Sequence, residues 1–202
     1  MQNKEFSKPD LSYERRIGGI ILGIDEVGRG CIAGPVVVAG VILNYNIDLS
    51  YVNDSKKLSA NKRERVFSEL KKSCHYIIQS SSVEEIEELN ILQASLLAMR
   101  RVIYNINNKF HHVLVDGNIN PEKSMDNISN VIGGDRKSLS IAAASIFAKV
   151  ARDKMMVNLD KFYPHYCWKD NKGYGTKQHI SDIRKFGITP HHRKSFLSRI
   201  IP

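Results

Sequence analysis

Four acidic residues stand at the ends of apolar segments, where their side chains could do chemistry. Asp25 and Glu26 follow the run IILGI. Asp116 follows HVLV, and Asp135 follows a pair of glycines. Carboxylate oxygens suit Mg²⁺ or Mn²⁺, and two such ions ~4 Å apart can activate water and stabilise the leaving oxygen in phosphodiester cleavage. The combination predicts a hard-cation site, although each acid taken singly could equally cap a helix or form a salt bridge.

Glycines surround the first acidic pair, in DEVGRGCIAGP. Gly28, Gly30 and Gly34 imitate the start of a dinucleotide-binding fingerprint, but a proline and a valine-rich strand follow where that fingerprint needs a helix N-terminus. We therefore expect these glycines to let the backbone approach a ligand closely, with Arg29 reaching sugar or phosphate oxygens.

Cysteine and histidine do not indicate a zinc site. The three cysteines, Cys31, Cys74 and Cys167, form no CxxC pair and are odd in number, which also disfavours a disulfide framework. The adjacent histidines at 111–112 and 191–192 are poorly placed to put both rings on one ion. A reducing compartment is the simpler interpretation.

Charge and composition favour a globular protein with a polyanionic partner. The 202 residues include 30 Lys+Arg and 21 Asp+Glu, a formal net charge of +9, and 42% are hydrophobic. Such an excess of basic over acidic residues favours phosphate-rich partners. The N-terminus, MQNKEFSKPDLSYERR, lacks the apolar stretch of a signal peptide, and the longest apolar run is interrupted by Gly34, Pro35 and Gly40. We therefore expect a cytoplasmic protein without a membrane span.

The elements that must position these acids are predicted by periodicity. Apolar β-branched runs predict strands at residues 17–25, 35–43, 76–82 and 112–117, the first two forming a hairpin-like pair. Helical spacing predicts helices at residues 61–72, 83–106 and 138–163. In the last helix, small residues predict close packing against a sheet: Ala142, Ala143, Ala144, Ser145 and Ala148.

This order of elements predicts an α/β fold with a mixed central sheet flanked by helices. We divide the sequence into a polar N-terminal leader at residues 1–16, a catalytic domain at 17–163, and a basic C-terminal extension at 164–202. The extension, which is loop-rich, is expected to be a small helical or irregular addition that binds substrate.

The chain resembles the bacterial ribonuclease HII family, the type 2 ribonucleases H. The resemblance rests on seven motifs in the family's order: GIDEVGRG from 23, AGPVV from 33, NDSKKLS from 53, LVDG from 114, GDRKSLSIAAASIFAKVARD from 134, KGYGTKQH from 172 and HHRKSF from 191. It implies a ribonuclease H-like fold and a metal-dependent endonuclease that cuts the RNA strand of RNA–DNA hybrids. It also implies cleavage 5′ to a single ribonucleotide embedded in duplex DNA, leaving 5′-phosphate and 3′-hydroxyl ends.

Carried over position by position, the resemblance implies that the four acids named above are catalytic and hold two Mn²⁺ or Mg²⁺ ions. Gly28, Arg29 and Gly30 resemble the loop that senses the ribose 2′-hydroxyl, and Tyr174 resembles the tyrosine that packs on the sugar at the RNA–DNA junction. Asp153 is a doubtful fifth acid. Lys149 lies one helical turn before Asp153, so we favour an ordinary ion pair there.

Further polar residues in the matched motifs are candidate phosphate contacts, which position a duplex without reading its sequence. They are Lys56, Lys57, Lys137, Ser138, Lys172, Thr176, His192 and Arg193. The chain departs from the family in having Cys31 where a proline usually follows GRG, an exchange that removes no proposed ligand and that activity should survive. The C-terminal SFLSRIIP shows no clear sliding-clamp motif, and we expect a monomer.

Two other functions remain open from the sequence. A non-catalytic hybrid-binding module would keep the basic surface without needing four acids. A related metal-dependent DNA nuclease would not need the GRG loop or Tyr174. A glycosidase also uses two carboxylates, but the net charge of +9 and the motifs make it remote.

Overall fold

The computed structural model describes residues 8–198, and within that range five strands form one sheet in the order β3-β2-β1-β4-β5. β1 is antiparallel to β2, which is antiparallel to β3, whereas β1, β4 and β5 run parallel. This confirms the mixed sheet and the pairing of the first two strands. The strands are β1 Ile21–Val27, β2 Val36–Ile42, β3 His75–Ser81, β4 His112–Asp116 and β5 Ile128–Val131.

Within residues 8–198, helices flank the sheet and recur along the C-terminal segment, and three short 3₁₀ turns lie between the elements. The helices are α1 Ser12–Ile17, α2 Ala60–Leu70, α3 Val83–Asn105, α4 Leu139–Asp160, α5 Trp168–Asn171, α6 Lys177–Phe186 and α7 Lys194–Leu197. The turns are Ser55–Lys57, Gly134–Arg136 and Pro164–Tyr166.

α4 lies against β1 on one face of the sheet, as its small residues predict. Ala142, Ala143, Ala144 and Ala148 are fully buried. Gly23 of β1 completes the close contact, because a Cβ atom there would stand 2.3 Å from the carbonyl carbon of Ser140. Small residues on both elements thus bring the helix up to the strand that carries the acidic pair.

α3 covers the opposite face, where Leu22 and Ile24 of β1 pack with Met99 and Val102 in a second hydrophobic cluster. The helix begins with a capping box between Ser82 and Glu85. The sequence predicts one continuous helix here, whereas the structure has a break at Asn90, whose φ is +68°. Its side chain accepts hydrogen bonds from the amides of Leu92 and Gln93 and so caps the second half.

Several elements differ from the sequence prediction. β5 is not among the four predicted strands, because ISNV is short and half polar. α1 falls within the predicted leader, and its Glu14 is buried, accepting hydrogen bonds from the Ser138 hydroxyl and the Ser140 amide. The predictions for residues 1–7, and for the clamp motif at residues 199–202, lie outside the described residues. Within residues 8–198, no helix is long and apolar enough to cross a membrane.

Candidate active site

The sheet brings the predicted acids to one edge. β1 and β4 are parallel neighbours with Ile24 opposite Val115, so Asp25 and Asp116 reach the same level at the carboxyl ends of the strands. Glu26 follows Asp25 in β1, and Asp135 lies in the turn after β5. The carboxyl ends of adjacent parallel strands are a common place for functional groups in α/β folds.

Burial and mutual repulsion make three of these carboxyl groups, those of Asp25, Glu26 and Asp116, hard to ionise. Asp25 is only 4% exposed, and burial, followed by the charges of Glu26 and Asp116, raises its pKa well above the ordinary value. Burial likewise raises the pKa of Glu26 and that of Asp116. A set of acids that raise one another's pKa in this way is typical of functional sites and of sites for cations.

Each carboxylate has a hydrogen-bond partner in the protein. Asp25 accepts a hydrogen bond from the Glu26 amide at 2.7 Å, and Asp116 accepts one from the Gly134 amide at 2.7 Å. The other two acids are contacted by cationic side chains. Arg29 donates to Glu26 at 3.1 Å. Lys56, whose side chain is 80% exposed, donates to Asp135 at 2.9 Å.

The donor chemistry of this edge fits Mg²⁺ or Mn²⁺. All four side chains offer hard oxygen ligands, and Oε2 of Glu26 is buried without a hydrogen-bond partner. Among residues 8–198, no three His, Cys, Asp or Glu side chains are already arranged to hold a metal ion. Arg29 and Lys56 engage two of the carboxylates instead, so a metal ion would compete with these cations for Glu26 and Asp135.

The loop that follows the acidic pair of β1 is joined to the Tyr174 loop by backbone hydrogen bonds. The amides of Ile32 and Ala33, after the GRG segment, both donate to the carbonyl of Gly173, next to Tyr174. Gly173 has φ +81°, and a Cβ atom there would lie 2.5 Å from the Ala33 carbonyl oxygen. Glycine is therefore required for this close approach. The two segments that the sequence assigns to sugar recognition form one unit.

A family model described as Ribonuclease HII matches residues 22–199. A ribonuclease HII of Wolbachia sp. subsp. Brugia malayi (strain TRS) is 48% identical over 189 residues, covering 93% of this chain and 93% of that protein. The chain belongs to the ribonuclease HII family. Members of the family are endoribonucleases that depend on divalent metal ions and act on RNA–DNA hybrids, and this chain is an endoribonuclease.

Solved structures agree with this assignment. Ribonuclease HII from Archaeoglobus fulgidus, in a complex with PCNA, is 27% identical with a TM-score of 0.73 and covers 86% of this chain and 93% of its own. The ribonuclease H2 of Pyrococcus horikoshii OT3 has a TM-score of 0.71 at 24% identity, and the match covers 90% of this chain and 96% of that one. The ribonuclease H-like fold is thereby confirmed.

Two buried arginines hold the loops beside the site together, a role that the sequence did not predict. Arg152 on α4 is fully buried and donates to the carbonyls of Pro35, Ala33 and Lys172. Arg193, also fully buried, donates to the carbonyls of Gly34 and Arg29. A signal was present, because Arg152 lies four residues from both Ala148 and Met156 on the buried face of the helix.

Gly28 shows how tightly Arg152 is packed against the GRG segment. Its φ is +93°, and a Cβ atom there would stand 2.2 Å from Nε of Arg152. Arg29 and Gly30 are exposed beyond it. The loop therefore presents its tip to solvent from a fixed base.

Three of the predicted phosphate contacts have internal roles instead. The hydroxyl of Ser138 donates to Glu14, and the side chain also caps α4. His192 is 2% exposed and bonds to His179, and Arg193 is used as described above. Buried side chains with satisfied polar atoms are not available to a phosphate. The remaining candidates are partly or fully exposed: Lys56, Lys57, Lys137, Lys172 and Thr176.

Cys31, the departure from the family's usual proline, is fully buried, and its thiol interacts with the hydroxyl of Tyr174. Burial raises the pKa of this thiol, which disfavours the reactive thiolate. Tyr174 itself is 41% exposed. Its ring is thus partly available to contact a ligand, while its hydroxyl contacts Cys31, directly after the GRG loop.

Proposed function

We propose that this protein cuts 5′ to single ribonucleotides embedded in duplex DNA and cuts the RNA strand of RNA–DNA hybrids, leaving 5′-phosphate and 3′-hydroxyl ends. The observation that supports it most is the joining of the GRG loop to the Tyr174 loop, directly beside the four-carboxylate edge. A nuclease that ignored the sugar would need the acids alone.

Recognition of the ribonucleotide is assigned to these loops. The exposed residues Arg29 and Gly30 are assigned the contact with the 2′-hydroxyl, the group that distinguishes RNA from DNA. The exposed part of Tyr174 packs on the adjoining deoxyribose. Arg152 and Arg193 fix the spacing between the two contacts, so the site is organised before substrate arrives.

Hydrolysis is assigned to Asp25, Glu26, Asp116 and Asp135, which would hold two divalent ions, Mn²⁺ or Mg²⁺. When bound, such ions lower the pKa of the attacking water and stabilise the charge on the leaving 3′-oxygen. Asp116 is oriented by the Gly134 amide, and Asp25 by the amide of Glu26. Lys56 and Arg29, released from their carboxylates, are then free to approach the phosphates of the duplex.

The test is cleavage of an end-labelled DNA duplex that contains one ribonucleotide, in Mg²⁺, Mn²⁺ or EDTA, beside an all-DNA duplex. We expect a metal-dependent cut 5′ to the ribonucleotide, and a loss of about a hundredfold or more in Asp116→Asn because one of few charged metal ligands is removed. Asp126→Asn is the matched control, since Asp126 is an exposed aspartate between β4 and β5, away from the carboxylate edge.

Each other outcome has a defined meaning. Cleavage of the all-DNA duplex at a similar rate would indicate a DNA nuclease that does not read the sugar. Binding without cleavage, unchanged in EDTA, would indicate a hybrid-binding module. Either result from a folded protein would overturn the proposal.

A further inference from the structure

We propose that Asp153 is a positioning residue that ties the Lys56 turn and Tyr174 to the same point of α4, and so sets how tightly the ribonucleotide junction is bound. The proposal rests on the proposed function, because it concerns how that site holds its substrate. It assigns to the doubtful fifth acid a role other than metal binding.

Asp153 contacts two cations from opposite sides. Its Oδ1 accepts a hydrogen bond from Lys149 on the same helix at 2.7 Å. Its Oδ2 lies 3.8 Å from a guanidinium nitrogen of Arg63 on α2. All three side chains are at most 21% exposed, so water screens these contacts less than it screens a surface pair.

The lysine arm leads to Tyr174. The ammonium group of Lys149 lies 5.8 Å from the centre of the Tyr174 ring, within the range of a cation–π contact. Burial and Cys31 raise the pKa of Tyr174, and the negative charge of Asp153 adds to this effect. Asp153 is therefore electrostatically linked to the tyrosine as well as joined to it through Lys149.

The arginine arm leads to Lys56. Arg63 donates to the carbonyl of Ser55 at 3.0 Å and to the carbonyl of Leu58 at 2.9 Å, so it spans the turn that carries Lys56. The hydroxyl of Ser55 also lies 2.8 Å from that of Ser145 on α4. From this turn, Lys56 reaches Asp135.

The lysine arm and the arginine arm both end on the carboxylate of Asp153. Without its carboxylate, Lys149 would lose its anionic partner beneath Tyr174, and Arg63 would lose the contact that fixes it to α4. The hydrogen bonds to Asp25 and Asp116 would remain, because their donors are the backbone amides of Glu26 and Gly134, which belong to neither arm. We therefore expect substrate binding to weaken while metal binding and the chemical step persist.

The experiment compares the parent with Asp153→Asn, Lys149→Gln and Glu64→Gln on the duplex with one embedded ribonucleotide. Glu64→Gln is the matched control. Glu64 lines the same surface groove as Arg63 and Asp153, so this variant removes one negative charge from that groove. Glu64 pairs with the exposed Lys154 rather than with Lys149 or Arg63. Steady-state kinetics give kcat and KM, a Mn²⁺ titration gives the half-saturating concentration, and thermal unfolding verifies that each variant folds.

For Asp153→Asn we expect KM to rise about tenfold with kcat within about twofold of the parent, the pattern of lost binding rather than lost chemistry. The half-saturating Mn²⁺ concentration should not change. Lys149→Gln, which cuts one arm, should raise KM about threefold. Glu64→Gln should match the parent.

Three results would overturn the positioning role. A raised half-saturating Mn²⁺ concentration together with a collapse of kcat would make Asp153 a metal ligand. A KM equal to that of Glu64→Gln would leave an ordinary structural ion pair. If Asp153→Asn does not fold, an unchanged KM in Lys149→Gln overturns the proposal on its own. A parent that fails to cut would instead overturn the proposed function, and the positioning role with it.

Discussion

At the scale of single residues, the buried histidines define a chain of hydrogen bonds that ends on the Tyr174 backbone. Nδ1 of His179 donates to the carbonyl of Tyr174, so its Nε2 accepts from Trp168 and from Nε2 of His192. His192 in turn accepts at Nδ1 from the Thr189 amide. This order assigns one tautomer to each ring and works only if both rings are neutral.

The neutrality of His192 predicts a pH dependence of stability. Burial, then His179, lowers its pKa from 6.5 to about 4. The unfolded chain therefore takes up a proton there below pH 6.5, while the folded chain resists until about pH 4, so stability is lost as pH falls through this window. The contribution of His192 to the free energy of unfolding reaches about 3 kcal/mol.

Urea unfolding of the parent and His192→Asn at several pH values between 7 and 4 measures this contribution. The raised pKa of Asp25 acts with the opposite sign, so the difference between the two curves is the informative quantity. It should shrink towards pH 4. A constant difference for His192→Asn would contradict the prediction.

Among single residues, the acids were predictable and their supports were not. Asp25, Glu26 and Asp116 could be found because each ends an apolar run, where burying a charge is costly unless a partner or a metal ion compensates it. Arg193 and His192 lie in a polar, basic stretch, where exposure is the ordinary expectation. His192 is buried against Tyr166 and Trp168, and Arg193 against the carbonyls of the loop after β1, and sequence spacing shows neither contact.

At the scale of elements, the contact between β1 and α4 controls the site, because β1 carries Asp25 and Glu26. Gly23→Ala would place its methyl group 2.3 Å from the Ser140 backbone, a distance that forces the strand and the helix apart. We expect a loss of about 1–3 kcal/mol in unfolding free energy. Cleavage should fall as well, because Asp25 moves relative to α4.

Urea unfolding and cleavage assays on the same preparations measure both effects. Gly175→Ala is the matched control, since a Cβ atom there meets only ordinary contacts at 3.5 Å or more. Equal stability of the two variants would show that the strand and the helix are less tightly packed than the structure indicates.

Elements were predictable where periodicity is strong. The long helices and the strands buried on both sides follow from their apolar spacing. β5 could not be predicted because it is held mainly by pairing with β4. The break in α3 could not be predicted because the side-chain oxygen of Asn90 accepts the hydrogen bonds of the next amides without interrupting the apolar pattern. Helices as short as α5 and α7 depend on tertiary contacts for their stability.

At the scale of the whole molecule, the net charge of +9 predicts a strong salt dependence of duplex binding. If about six phosphates are contacted, affinity should fall on the order of a thousandfold between about 50 and 200 mM salt, because each contact releases a condensed counterion. Measuring the affinity of Asp116→Asn for the ribonucleotide-containing duplex in EDTA separates binding from cleavage.

The slope of that salt dependence also locates the contacts. Lys137 is exposed just after the turn that carries Asp135, so Lys137→Ala should reduce the slope by about one. Lys109→Ala makes the same charge change ahead of β4, at the sheet edge opposite the acids, and should leave the slope unchanged. Equal slopes for the two variants would remove Lys137 from the contact surface. A flat salt response in both would remove the basic surface from the account of binding.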